Sequence, residues 1–371
     1  MRPTGRSFLP DALKAFGCLL IVLHHLASYG PMSDVVLRAW PQWIDGLYEH
    51  GRLAVQVFLV CSGFLMAQTL DKIATWGVAL ALRMVWRRYL RLVIPLLAAL
   101  SVTVLMTEFL RGGKAMPHLS ATPDWQSALA HLLLVQHVLD IEALSAGIWY
   151  VAIDFQLYLI TLLTLLCAAK VSHRFPLWDL KAVSWQIWMG LSLVSLLVWN
   201  LNDDLDNYGV FFFGSYGMGL LASRGRQNQP SLRGWAVLVS LGGLALWVDP
   251  RWRIVTAWAC ALLLMAAPAT WFSAERLPGR WRQIIQSLSE MSYSVFLIHY
   301  AVIIGVSAFV FAFWPDDVWA NALGMGVTVG LSVWLGGAMQ RLTERQPHDL
   351  KHLLAWSVVF MTSVWLAMNW S

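Results

Sequence analysis

Two adjacent histidines, His24 and His25, sit in an apolar run that opens at Pro10-Asp11-Ala12-Leu13-Lys14. A buried imidazole must be hydrogen-bonded, and an apolar residue would often cost less, so a pair of them at lipid depth points to use. The chemistry open to them is proton transfer or nucleophilic attack. At a rise of about 1.5 Å per residue, His25 falls roughly 16 Å beyond Lys14, in the outer half of a membrane entered from the inner side. Asp11 and Lys14 read equally as an N-cap with an orientation charge or as a working pair.

Three further segments carry ionisable groups. The run Arg83-Met84-Val85-Trp86-Arg87-Arg88-Tyr89-Leu90-Arg91 precedes Pro95. Arg88 and Arg91 are three apart and share a helix face, a spacing that suits a bidentate grip on phosphate. The preference for arginine over lysine favours that reading over a plain orientation anchor. Gly147 through Tyr158 carries Asp154, a carboxylate that needs a partner at membrane depth, for which a histidine is the cheapest. Ser292-Tyr293-Ser294 precedes His299, placed by its helix start in the inner half and readable either as a tie to a neighbouring helix or as a substrate contact.

Apolar runs of membrane length must position all four. The chain has 371 residues, 58% apolar and 13% charged, with a mean hydropathy of +0.60. That excludes a soluble globular chain and gives the class as all-α, a polytopic membrane helix bundle. Eleven helices are expected at roughly 12–29, 52–70, 89–110, 146–169, 184–201, 208–223, 234–248, 253–272, 291–314, 318–340 and 352–370. The sixth and seventh are short and contain glycine, so the count is ten or eleven. No segment remains for a sizeable soluble catalytic domain, and any chemistry belongs to the bundle or its two mouths.

With the N-terminus in the cytoplasm, 20 of the 26 lysines and arginines fall on the inner side, Arg2, Arg6 and Arg276 among them. Arg38, Arg52, Arg111, Lys114, Arg251 and Arg253 are left outside. This bias sets the orientation as N-in and C-out. The net charge of +5 is dispersed in small clusters between apolar runs, which argues against a nucleic-acid partner. Cys18, Cys61, Cys167 and Cys260 are scattered singly and read as inert core residues. His131, His137 and Asp140, in the long outer connection, are ligand types at a loose spacing that chance supplies, and no metal is expected.

In order and in helix position, these residues resemble the acyltransferase family 3 integral membrane proteins. That family carries an aspartate, a basic residue and, ten residues later, a histidine on its first helix. Asp11, Lys14 and His25 match, with His24 where an aromatic residue is common. Phe58 through Phe64, containing Ser62, is similar to the family's apolar run ending in serine-glycine-phenylalanine. Arg88-Tyr89-Leu90-Arg91 is similar to its arginine-x-x-arginine pair. Trp149 through Tyr158 resembles its tryptophan-to-tyrosine motif, although Asp154 and Phe155 stand where two glutamates are usual. Ser292-Tyr293-Ser294 with His299 resembles its serine-tyrosine-serine element, with Ser289 and Glu290 replacing glycine and a basic residue.

The resemblance implies one integral membrane acyltransferase domain over residues 1–371, with no appended soluble domain, in the inner (plasma) membrane. It implies transfer of an acyl group, most often acetyl, from cytoplasmic acyl-coenzyme A to a hydroxyl of an extracytoplasmic or lipid-linked glycan. His25 is then the general base or the acyl carrier, Asp154 its orienting group, and Arg88, Arg91 and Lys14 the coenzyme-phosphate contacts. His24, Ser62, Trp149, Tyr158, Tyr293 and His299 support them, with Asp11 on Lys14. Partners are the glycan acceptor, membrane lipid and envelope glycan biosynthesis proteins. The rival class is a transporter or lipid-linked sugar translocator, which would show matching halves with broken helices; none is evident.

Overall fold

A computed structural model describes residues 7–73, 75–111, 119–226, 231–273 and 277–370. Arg2, Arg6, Lys114 and Arg276, used in the charge bias, lie outside the described residues. The chain opens with α1 (Phe8–Ser28), the short α2 (Pro31–Leu37) and α3 (Pro41–His50), which passes through a 3-10 turn into α4 (Ala54–Leu70). Then come α5 (Val78–Arg111), the short α6 (Trp125–Leu132), α7 (Trp149–Arg174), α8 (Leu180–Leu197), α9 (Gly209–Arg226), α10 (Leu232–Val248) and α11 (Trp252–Ala266). The five-residue α12 (Ala269–Ser273) leads to α13 (Gly279–Phe313), α14 (Val318–Leu342) and α15 (Leu350–Met368).

Among the described residues, eight stretches are long and apolar enough to cross a membrane: Phe8–Ser28, Pro41–Leu70, Val78–Arg111, Trp149–Arg174, Leu180–Leu201, Gly279–Phe313, Val318–Leu342 and Leu350–Met368. The protein is a polytopic helical membrane bundle. Of the other three expected spans, 208–223 and 234–248 are helical and 253–272 is broken at Ala267-Pro268, and α10 and α11 have only 17 and 15 residues. That is about 25 and 22 Å, short of a hydrocarbon core of about 30 Å. In α9, five of 18 residues are glycine, which lowers its hydropathy.

Two helices start earlier than expected. α5 begins at Val78 and α13 at Gly279, so the arginine run and Ser292-Tyr293-Ser294 both lie within long helices. Polar residues end a hydropathy window without ending a helix, and arginine and glutamine are good helix formers. Pro95 sits inside α5 and has no N–H to donate back to the Arg91 carbonyl.

The chain divides into two compact units. The first comprises Met1–Lys14, Val55–Trp86 and Ile153–Gln286. At its centre α9 is buried continuously from Phe211 to Gly225, because small residues let other helices reach its backbone. A Cβ on Gly63 of α4 would run into the Tyr216 carbonyl, and one on Gly219 into the Val60 carbonyl. Ser195 of α8 accepts the Gly214 N–H at 2.8 Å and donates to the Val210 carbonyl at 2.7 Å. Two arginines counted as orientation charges also tie helices. Buried Arg224 pairs with Asp71 at 3.2 Å and donates to Ser184 Oγ at 2.6 Å, and Arg226 donates to the Met265 and Ala267 carbonyls at the end of α11. Cys61 and Cys260, far apart in the chain, are buried close to each other.

The second unit comprises Ala15–Ala54, Arg87–Ala152 and Ser287–Ser371. Cys18 Sγ donates to the Ser292 carbonyl at 3.3 Å, and seven residues further along both helices His25 meets His299. Equal steps in the same sense on both helices mean that α1 and α13 run parallel. Gly336 of α14 lets that helix approach the Val295 backbone, where a Cβ would lie 2.8 Å from Val295 Cα.

Candidate active site

His25 and His299 form the centre of the site. Both are buried, at 7% and 0% exposure. Their rings are nearly parallel, 8° apart with centroids at 4.8 Å, and meet edge to edge, His25 Nδ1 lying 2.6 Å from His299 Nε2. His299 Nδ1 is 2.6 Å from the Phe296 carbonyl, which can only accept, so that nitrogen carries a proton. In a neutral His299, Nε2 is then the acceptor, and His25 Nδ1 must donate to it. The lone pair of the coupled pair is left on His25 Nε2.

This contact corrects the depth expected for His299. Counted from a helix start at 291, it belonged to the inner half. α13 starts at Gly279, so His299 lies about 30 Å along it, while His25 lies about 26 Å along α1 from Phe8. The two parallel helices bring both imidazoles to one level.

Gly147, in the turn before α7, has φ +77°. A Cβ there would stand 3.0 Å from His25 Cε1 and 3.2 Å from the Phe296 ring. Only glycine takes that backbone conformation without strain and leaves the imidazole its space. Aromatic rings surround the pair: Tyr29 packs edge-on to His25 at 5.6 Å and to Tyr300 at 5.4 Å, and Tyr150 edge-on to Phe296 at 5.9 Å and to Trp149 at 6.2 Å. His24 points elsewhere, with its Nδ1 3.1 Å from the Leu47 carbonyl, and so ties α1 to α3.

The other expected site residues divide between the two units. Asp11 falls inside the first turn of α1 rather than at its cap, and its buried carboxylate pairs with Lys14 at 3.3 Å. Arg88 and Arg91 stand on α5, half-buried and exposed respectively. Just beyond them the Tyr293 hydroxyl donates to the Leu92 carbonyl at 2.8 Å. Ser62 is half-buried beside Gly63 at the α4–α9 contact. In the first unit, Asp154 is 5% exposed, Gln156 accepts the Gly209 N–H at 2.7 Å and so holds the start of α9, and Tyr158 donates to the Met84 carbonyl at 3.4 Å. The edge of His25 that a triad carboxylate would take, Nδ1, is filled by His299.

Sequence reasoning missed the direct coupling of His25 to His299 and the spacing role of Gly147. Glu344, just past α14, also escaped it, although its Oε1 accepts from Ser294 Oγ at 2.5 Å. No periodic signal marks such a loop residue. His131 is bonded on both ring nitrogens, Nδ1 to the Ser127 carbonyl at 2.8 Å and Nε2 from the Leu144 N–H at 3.2 Å, which leaves no lone pair for a metal. Among the described residues, no three His, Cys, Asp or Glu side chains gather as a metal site.

Compared with known proteins, the chain matches the family 3 acyltransferase model, described as an acyltransferase domain, over residues 9–337. No curated protein and no solved structure matches it. The match runs from the start of α1 almost to the end of α14 and takes in both histidines of the buried pair, the α5 arginines and the Ser-Tyr-Ser element. The chain belongs to acyltransferase family 3 and is a multi-pass membrane acyltransferase.

Proposed function

We propose that this protein moves an acyl group, acetyl in the first instance, from cytoplasmic acyl-coenzyme A to a hydroxyl of an extracytoplasmic or lipid-linked glycan in the inner membrane. The observation that carries the reading is the buried His25–His299 pair with its free lone pair on His25 Nε2. In this reading His25 Nε2 takes the proton of the acceptor hydroxyl as its oxygen attacks the thioester carbonyl. The C–S bond breaks, and His25 returns the proton to the leaving thiolate. His299 holds the His25 tautomer, the part that aspartate plays in a serine protease triad. The orienting role therefore passes from Asp154 to His299. Arg88 and Arg91 hold coenzyme phosphates at the inner mouth. Lys14, already paired with Asp11, contributes positive charge there.

The test is incubation of purified protein with radiolabelled acetyl-coenzyme A and an envelope glycan extract, following label transfer and coenzyme A release. His25→Ala is expected to abolish transfer. His299→Phe, which removes the acceptor for His25 Nδ1, is expected to lower kcat roughly 10²–10⁴-fold, with His299→Gln retaining more. If folded wild-type protein transfers neither acetyl, succinyl nor longer groups from coenzyme A to the extract, the reading of donor and acceptor is overturned.

A further inference from the structure

Glu344 has no role in the chemistry above, and its surroundings single it out. It lies two residues past the end of α14 and is half-buried. Its carboxylate is fastened to α13 by the 2.5 Å bond from Ser294, whose side chain is fully buried. The neighbouring Tyr293 reaches in another direction and fastens α13 to α5 at Leu92, the residue after Arg91. Two consecutive residues of one helix thus bring the Arg91 turn of α5 and the α14–α15 connection to the same point. Arg91 acts electrostatically on Glu344, favouring its charged form against the cost of burial, and on His348, four residues further along the same connection. The Nε2 atom of His348 is buried and has no hydrogen-bond partner among the described residues.

Chemistry favours an anion here. A guanidinium carries five donors in a rigid fork, more than one carboxylate can fill, so it can face a carboxylate and a second anion in set directions. A phosphate oxygen arriving beside it would also satisfy the His348 nitrogen. An arginine on an exposed helix face that lacked such a brace would lose more side-chain freedom on binding.

We propose that Glu344, locked by Ser294, is the positioning residue for Arg91, and that with His348 they form the seat of the phosphate-bearing end of the coenzyme A donor. This rests on the acyltransferase reading.

The test measures binding of radiolabelled coenzyme A to the full-length protein in detergent, with adenosine 3′,5′-bisphosphate and pantetheine as competitors. Wild type is expected to bind coenzyme A and to lose it to the bisphosphate. Glu344→Gln should weaken coenzyme A and bisphosphate binding about tenfold or more and leave competition by pantetheine unchanged. Glu344→Asp should restore part of the loss, and Ser294→Ala should shift binding in the same direction by less. In an Arg91→Ala background Glu344→Gln should add little, because the two act as one unit. Unchanged affinity in Glu344→Gln, equal loss for bisphosphate and pantetheine, or full additivity with Arg91→Ala would overturn the proposal. If Glu344→Gln fails to fold, unchanged affinity in Ser294→Ala overturns it equally. Failure of wild type to bind coenzyme A would instead remove the coenzyme A-donor reading on which the proposal rests.

Discussion

At the scale of single residues, the site depends on which nitrogen of which ring holds a proton. The Phe296 carbonyl sets the His299 tautomer, and His299 sets that of His25. A chain of two neutral rings avoids the cost of burying an unpaired carboxylate at this depth. Gly147 guards the same geometry from the other side. Gly147→Ala would combine a strained φ of +77° with a methyl 3.0 Å from His25 Cε1. Its expected outcome is a kcat at least tenfold lower with little change in the KM for acyl-coenzyme A, measured by label transfer. A normal kcat would mean that the His25 ring has room to move, contrary to the packing seen. Nothing in the residue string around Gly147 separates it from an ordinary helix-preceding glycine; its neighbours His25 and Phe296 lie more than a hundred residues away in the chain.

At the scale of elements, short α6 and the turns after it show how an outer connection is held without a span of its own. Asp124 caps α6 by accepting the Ser127 N–H at 2.7 Å, and at its far end Leu134 takes φ +59°, with Val135 N–H returning to the Ala130 carbonyl at 2.9 Å. His131 links this helix to the chain before α7 and is neutral when it does so, since its Nε2 accepts the Leu144 N–H. Burial pushes its pKa down from 6.5 to about 4. Between those values the unfolded segment binds more protons than the folded one, so stability rises with pH there. The stabilisation is present in full above pH 6.5 and is lost as pH falls towards 4. The window is worth on the order of 3 kcal/mol. Hydrogen exchange over Trp125–Ala146, corrected for intrinsic chemistry, is expected to gain rate from pH 7 to pH 4.5 in wild type and much less in His131→Gln. Parallel pH profiles would show that His131 is not the group responsible.

At the scale of the whole molecule, the parallel run of α1 and α13 constrains the topology. Five long stretches, beginning with α1 and ending at Leu201, precede α9, and α13 enters from the same side as α1. An odd number of α9, α10 and α11 must therefore cross, either one or all three. The outward placing expected for Arg251 and Arg253 calls for three, and α10 and α11 are short enough that the bilayer would thin around them. In a cysteine-free background, Asp249→Cys is expected to react with an impermeant thiol reagent from outside, and Leu177→Cys, at 97% exposure, only from inside. Labelling of Asp249→Cys from inside would make α10 and α11 a hairpin that never crosses.

The sequence alone carried the class of the molecule. Apolar runs, basic clusters and the four motifs are local properties, and membrane burial of a helix depends on its own side chains, so the bundle and the family were legible in the residue string. Even there, the ends of α5 and α13 were misplaced, because a helix continues through arginines that a hydropathy window rejects. What only the tertiary structure decided is which groups meet. His25 and His299 are 274 positions apart and Ser294 and Glu344 50 apart, and their pairing follows from helix direction and register. Those are set by glycine contacts such as Gly336 on Val295 and by ties such as Tyr293 on Leu92. A proton's place on an imidazole is decided by its neighbour's lone pair, and that neighbour is chosen by packing between helices, which no local pattern of residue types encodes.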